Sequence, residues 1–194
     1  MPRDAQATRE RIVSAAAKLF YSQGVRAVGV DEVAARAGVT KRTLYYHFRS
    51  KDDLIAAYLT VRDQPTLRHA AKWMDGAGGD LTDQIAAVFR EIAKLGRNPK
   101  WRGCGFLRTA AELASTPGHP AVKASSTHKK RLEGEFTRRI AAAGLSDPEL
   151  RARQIVVLFD GAFSAMLVHH DSAYAEAAGR AAVALVREQD VQGR

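Results

Sequence analysis

Residues 40–51 concentrate the side chains best suited to gripping a partner. Thr40, Lys41, Arg42, Thr43, Tyr45, Tyr46 and His47 all carry hydrogen-bond donors, and only Leu44 and Phe48 among them are shaped for a core. A short helix that existed only for packing would bury more of its surface. Thr40, Thr43 and Tyr46 suit phosphate or thymine contacts, and Lys41 or Arg42 can grip guanine bidentately or hold a phosphate. Lys51, beside the start of the next helix, can add its charge to that helix's free N–H groups on one phosphate. The bland alternative is a solvated basic helix with surface tyrosines.

Such a face needs elements to hold it. Ile12, Ala15, Ala16, Leu19 and Phe20 repeat at helical spacing and predict a first amphipathic helix ending at Gly24. Asp31 can N-cap a second, short helix that stops at Gly38, and Thr40 can cap a third through His47. Two helices joined by Gly38-Val39-Thr40, within about 31–48, make a helix-turn-helix, whose second helix enters the major groove of DNA.

The charge agrees. The 194 residues carry 30 Lys and Arg against 21 Asp and Glu, a net of +9. From Met1 to Lys51 ten basic residues face four acidic ones, so two-thirds of the excess lies in the first quarter of the chain. A phosphate-facing head accounts for that skew, whereas a uniformly solvated surface does not. The single cysteine, Cys104, excludes an internal disulfide framework and a cysteine-based zinc site. The N-terminus lacks a secretory apolar region, and strictly apolar runs such as Ile155 to Phe159 are far below a membrane span. A cytoplasmic chain with no membrane partner is the expectation.

Helical spacing continues to the end, and strand signals are nearly absent. Ser50-Lys51-Asp52-Asp53 opens a fourth helix that runs toward Trp73 and Met74 despite Pro65. Asp80 caps a fifth helix, a shorter one covers about Phe106 to Ala114, and Pro120 starts another that ends before Gly144. Asp147-Pro148 opens a strongly apolar helix to about residue 170, and Ser172 caps an alanine-rich one to about 190. The fold class is all-α, with about nine helices. The domain boundary falls after Lys51: residues 1–51 form the helix-turn-helix head and 52–194 a second, helical domain.

Residues 8–58 resemble a known family. Gly24-Val25-x-x-Val28, then Asp31-Glu32-Val33-Ala34-x-x-Ala37-Gly38-Val39-Thr40-Lys41-x-Thr43-Leu44-Tyr45-Tyr46-His47-Phe48-x-Ser50-Lys51-x-x-Leu54, is similar to the DNA-binding head of TetR/AcrR-family transcriptional regulators. Arg42 departs from the pattern, standing where the family often has a small residue. The resemblance implies a homodimer, a C-terminal pocket for a small-molecule inducer, operator DNA as partner and dimerisation through the last two long helices. Arg102-Gly103-Cys104-Gly105-Phe106-Leu107, with the following Ala-Glu and His-Pro, is similar to a segment of one subgroup, Gly105 replacing a proline.

In the C-terminal part, helices 147–170 and 172–190 are apolar on more than one face and suit a four-helix interface between two copies. Trp73, Phe89, Trp101, Cys104, Phe106, His128, Phe159, Phe163 and Met166 are candidates to line a ligand cavity, against the plainer reading that they are core. Cys104, near Arg102 and Arg108, is a redox-sensor candidate against the plainer reading of a small buried hydrophobe. Lys94, Arg97, Lys100, Arg102 and Arg108 form a second basic stretch that could add to a DNA-facing field. No catalytic motif, cofactor motif or metal-ligand spacing occurs: no Gly-x-Ser-x-Gly elbow is present, and the six histidines have no ligand spacing. The expectation is therefore a non-enzymatic, sequence-specific regulator without cofactor or metal, acting as a repressor. The competing readings are a non-specific nucleic-acid-binding protein and an all-α enzyme with an unrecognised site.

Overall fold

A computed structural model of the chain describes residues 3–116 and 118–187. Among them are nine helices and no strand: α1 (Arg3–Gln23), α2 (Val30–Ala37), α3 (Lys41–His47), α4 (Lys51–Asp75), α5 (Leu81–Gly96), α6 (Gly105–Glu112), α7 (Pro120–Ala142), α8 (Pro148–His169) and α9 (Ala173–Arg187). The all-α expectation holds. The expected extension of the last helix to about 190 lies outside the described residues past Arg187.

Local chemistry explains most boundaries. Ser50 Oγ accepts the Asp53 N–H at 3.1 Å, and Asp80 Oδ1 accepts the Asp83 N–H at 3.1 Å, so both expected caps form. Two others differ. Asp31 does not cap α2, because the helix starts one residue earlier behind Gly29 and places Asp31 in its first turn. Ser172 Oγ accepts from Arg97 Nε–H at 3.2 Å, and Asp171 Oδ1 takes the Ala173 N–H at 2.8 Å instead. A tertiary partner outcompeted the local cap. Pro65 sits inside α4 without ending it.

The chain forms two compact units, Met1–Gln64 with Gly105–Ser126, and Pro65–Cys104 with Thr127–Arg194. The first therefore differs from a head of residues 1–51: it also holds the first turns of α4, all of α6 and the start of α7. Its core includes Ile12, Ala16, Phe20, Val28, Val33, Leu44, Leu54 and Tyr58, all essentially inaccessible. Tyr58 meets Phe20 edge-on, ring centroids 5.7 Å apart, which ties α4 to α1 beyond the turn at Lys51.

The second unit is built on α5, α8 and α9, with α9 packed chiefly against the other two. Ile85, Phe89, Ile92, Phe136, Ile155, Phe159 and Met166 fill it. Arg139 on α7 spreads its guanidinium over Glu135 (2.6 Å), Gln84 (2.9 Å) and Asp75 (2.7 Å), fastening the ends of α4 and α5. Burial alone would lower its pKa, but the Asp75 and Glu135 carboxylates outweigh that and raise it. Helix α8 is long and apolar enough to cross a membrane by length and composition. Ile155, Phe159, Ala162, Phe163 and Met166 instead face the core of this unit, while Val157 and Val168 remain 66% and 71% exposed.

Candidate nucleic-acid interface

The helix-turn-helix is pinned by backbone chemistry at its turn. Gly38 adopts φ +65°, a left-handed conformation that other residues adopt only with strain. There the Gly38 N–H bonds Ala35 O at 3.1 Å and the Val39 N–H bonds Ala34 O at 3.0 Å, closing α2. Thr40, in extended conformation, then accepts the Thr43 N–H at 3.1 Å on Oγ1 and caps α3. Its hydroxyl also shares a 2.8 Å hydrogen bond with the Thr43 hydroxyl. Leu44, fully buried, and Phe48 anchor α3 from beneath, and the Arg9 guanidinium lies 4.8 Å from the centroid of the Phe48 ring.

With Leu44 facing inward, Lys41, Arg42, Tyr45 and Tyr46 face out. Tyr46 is 81% exposed and Tyr45 43%. A tyrosine so placed adds nothing to the core, since its apolar ring stays in water. Arg42 is exposed and has no acidic partner among the described residues. Lys41 is exposed too, but its Nζ lies 3.0 Å from Asp31 Oδ2 on α2, and that hydrogen bond raises its pKa above the ordinary lysine value. His47 is half-buried; its ring meets Tyr46 edge-on at 5.2 Å, and its buried Nδ1 lacks a hydrogen-bond partner. Lys51 donates from Nζ to Arg26 O at 3.2 Å, and its partial burial lowers its pKa.

The eight residues expected to read DNA thus lie close in sequence but do unlike work. Arg42, Tyr45 and Tyr46 present free polar groups, while Thr40, Thr43, Lys41 and Lys51 are already engaged and would exchange or share those bonds on binding. An exposed ion pair such as Lys41–Asp31 is weak enough for a phosphate to compete. Sequence reasoning missed the Asp31–Lys41 pair, although the two residues stand only ten positions apart.

It also missed the support from α6. Glu112 Oε2 accepts the Arg26 N–H at 2.9 Å, and Arg26 donates through its guanidinium to Ser115 Oγ at 2.7 Å. Arg108 donates to Tyr21 O at 2.8 Å. Gly24 adopts φ +95°, and a Cβ there would stand 2.9 Å from Glu112 Oε1. The backbone conformation calls for glycine, and a Cβ would in addition have to displace the Glu112 carboxylate. His119, buried, accepts the Ala121 N–H on Nδ1 at 3.0 Å, which leaves the neutral ring's proton on Nε2. That atom lies 3.2 Å from Asp52 Oδ1 but outside hydrogen-bond geometry.

The second basic stretch is largely spent internally. Lys94 meets Glu91, Arg97 meets Glu176, and Arg102 donates to the carbonyls of Pro99 and Trp101. Only Lys100 keeps its charged group without a partner among the described residues.

Of the ligand-lining candidates, Phe89, Phe159, Phe163 and Met166 belong to the buried core of the second unit, with Trp73, Trp101 and Cys104 half-buried against it. Phe159 and Phe163 lie 5.0 Å apart by ring centroid, and Trp101 lies 5.8 Å from Phe163. His128 is buried in the same unit. Phe106 is not among them: it is buried in the first unit, where its carbonyl accepts the Ser125 hydroxyl at 3.1 Å.

Comparison with known proteins meets this geometry from outside. Residues 12–58 match the family model for bacterial regulatory proteins of the tetR family. The chain is 41% identical over 161 residues to the HTH-type transcriptional regulator TtgR of Pseudomonas putida, covering 73% of this chain and 76% of that one. SrpR, another HTH-type regulator of Pseudomonas putida, is 40% identical over 62 residues, and there the chain spans only 29% of the relative's length. The crystal structure of SCO4454, a TetR-family transcriptional regulator from Streptomyces coelicolor, superposes with a TM-score of 0.80 at 34% identity, over 93% of this chain and 94% of that one. Head, turn and helical remainder agree with those relatives, and the chain belongs to the TetR family of bacterial regulatory proteins.

Proposed function

We propose that the chain is a cytoplasmic, homodimeric, sequence-specific DNA-binding regulator that represses transcription until a small molecule releases it from its operator. One observation carries most weight: α3 buries Leu44 completely while leaving Arg42, Tyr45 and Tyr46 in water. That distribution suits a helix docked by its back and read from its front. On this reading residues 1–51 carry the reading function, with Thr40, Lys41, Arg42, Thr43, Tyr45, Tyr46, His47 and Lys51 as its contacts, and 52–194 carry regulation. Two copies of α3 would enter successive major grooves, ~34–36 Å apart along the duplex.

The second copy fits the outer face of α8 and α9. Leu150, Val157, Val168 and Tyr174 stand exposed there, an apolar set that a monomer would leave in water. A ligand would be held by the second unit's aromatic cluster, from Trp73 and Trp101 through Cys104 and His128 to Phe163. Binding at such a site relieves repression only through differential affinity for two conformations. Coupling of ~1–3 kcal/mol gives a 5–150-fold change in operator affinity, and operator DNA must weaken ligand binding by the same factor. The relatives' description as transcriptional regulators argues against the enzymatic alternative.

The experiment is a mobility-shift titration on the upstream region of the chain's own gene, with unrelated duplex as competitor. A regulator of this kind prefers its site by ~10³-fold or more. Equal affinity for both duplexes would move the assignment to the non-specific nucleic-acid-binding class.

A further inference from the structure

A crevice of about 740 Å³ lies between α5 and α9, within the second unit, and of the ligand-lining candidates named above it shares only Phe89. The two helices run antiparallel, because Arg97 at the end of α5 binds Ser172 and Glu176 at the start of α9, at 3.2 and 3.0 Å. Midway they are drawn together at Gly179, where a Cβ would stand 2.7 Å from Phe89 Cβ. The close approach leaves a narrow apolar floor of Ala86, Phe89, Ala93 and Val183.

The walls are unlike the floor. Arg90, Lys94, Arg97, Arg180 and Arg187 line the crevice, against the one carboxylate of Glu176. Arg97 is already bound to that carboxylate, and Lys94 turns to Glu91 at 2.5 Å. Arg90, Arg180 and Arg187 have no acidic partner among the described residues. Arg90 and Lys94 stand one helical turn apart on α5, and Arg180 and Arg187 two turns apart on α9, so the surplus sits on both walls. Like charges collected over an apolar floor weaken a fold unless something neutralises them. A cleft of one sign with a low-dielectric wall concentrates the field on an incoming anion. The volume falls in the ordinary range for small-molecule sites, ~300–1,000 Å³.

We propose that this crevice binds a single-chain organic anion, its apolar tail on the Phe89–Val183 floor and its anionic head between Arg90 and Arg180. Guanidinium groups suit a carboxylate head because they can offer paired N–H donors. The proposal stands independently of the DNA-binding reading, since neither α5 nor α9 carries a residue of that interface.

Isothermal titration of the full chain with dodecanoate, below its micelle concentration and at pH 8, tests it. One dodecanoate per chain should bind with a dissociation constant on the order of tens to hundreds of micromolar, given ligand efficiencies near the lower bound for small ligands. Dodecanol and dodecyltrimethylammonium, with the same tail, should bind about tenfold more weakly or not at all. The double variant Arg90→Glu with Arg180→Glu should lose about tenfold or more in dodecanoate affinity while its thermal melt is unchanged. Should the reversal prevent folding, Arg90→Gln with Arg180→Gln removes the charges at the same exposed positions and makes the same prediction. Three results overturn the proposal: no dodecanoate binding, binding that the variant leaves intact, or binding seen only on phosphatidylglycerol vesicles and never with monomeric dodecanoate.

Discussion

The backbone N–H of Arg26 donates to Glu112 Oε2 at 2.9 Å, joining the turn after α1 to the end of α6 across 86 positions of sequence. The turn that follows α1 has a backbone donor that water would otherwise have to satisfy, and a carboxylate from a distant helix takes its place. Lys51 anchors the same turn by donating to the Arg26 carbonyl at 3.2 Å. Replacing Glu112 with Gln keeps the shape and removes the charge. A fall of about 1 kcal/mol in unfolding free energy is expected, read by urea titration. An unchanged midpoint would show that the contact is incidental.

Gly24 should tolerate change less well. An alanine there meets both the left-handed backbone conformation and the Glu112 carboxylate, so ~1–3 kcal/mol of destabilisation is expected for Gly24→Ala. Combining it with Glu112→Ala should recover part of the loss. Full additivity of the two changes would contradict the clearance argument.

Tyr46→Ala separates reading from folding. At 81% exposure the side chain contributes little to the core, so the melting temperature should hold while operator affinity drops by ~1–3 kcal/mol. Leu44→Ala should do the reverse first, costing ~2–5 kcal/mol of stability. Comparable melts for the two variants would show that α3 is packed differently.

Asp31→Asn bears on the ion pair with Lys41. The carboxylate holds Lys41 above its ordinary pKa, so the pair's stabilising contribution is fully present below about 10.5, the unfolded lysine value, and is lost as pH rises through the higher folded pKa. Between pH 6 and 9 Lys41 therefore adds no pH dependence. Removing Asp31 frees the ammonium and deletes a negative charge from a phosphate-facing surface, so operator affinity should rise several-fold. Mobility shifts at fixed salt measure it, and weaker binding would show that Asp31 orients Lys41 productively. Arg42→Ala, by contrast, should weaken binding and reduce the slope of log affinity against log salt by about 1.

Val157→Glu tests the proposed interface of α8. A charge at a position 66% exposed should leave the monomer folded but shift the molecule to the monomer in sedimentation or gel filtration. Operator binding should fall with it. A dimer that survives the change places the second copy elsewhere.

The parts legible in sequence were those fixed by near neighbours. Gly38 in a left-handed turn, Thr40 three residues before Thr43, and Ser50 three before Asp53 are local devices, and each forms as its spacing requires. Leu44 and Phe48 were separated from their polar neighbours by side-chain type alone. What escaped depends on residues brought together by tertiary folding. Asp31 pairs with Lys41, Ser172 is claimed by Arg97, and Phe106 lies buried in a different unit from Phe89. No periodicity within one helix contains that information, because each contact depends on where a second helix lands.

The first unit is discontinuous, and this sets a schedule for the nascent chain. Residues up to Gln64 are synthesised well before Glu112 and His119 exist, so the turn at Arg26 and the first turn of α4 must wait for them. At ~5–20 residues per second, translating through residue 126 takes on the order of several seconds more. During that interval the N-terminal helices are held by their own core alone. A fusion or truncation that stops after the helix-turn-helix makes that temporary state permanent.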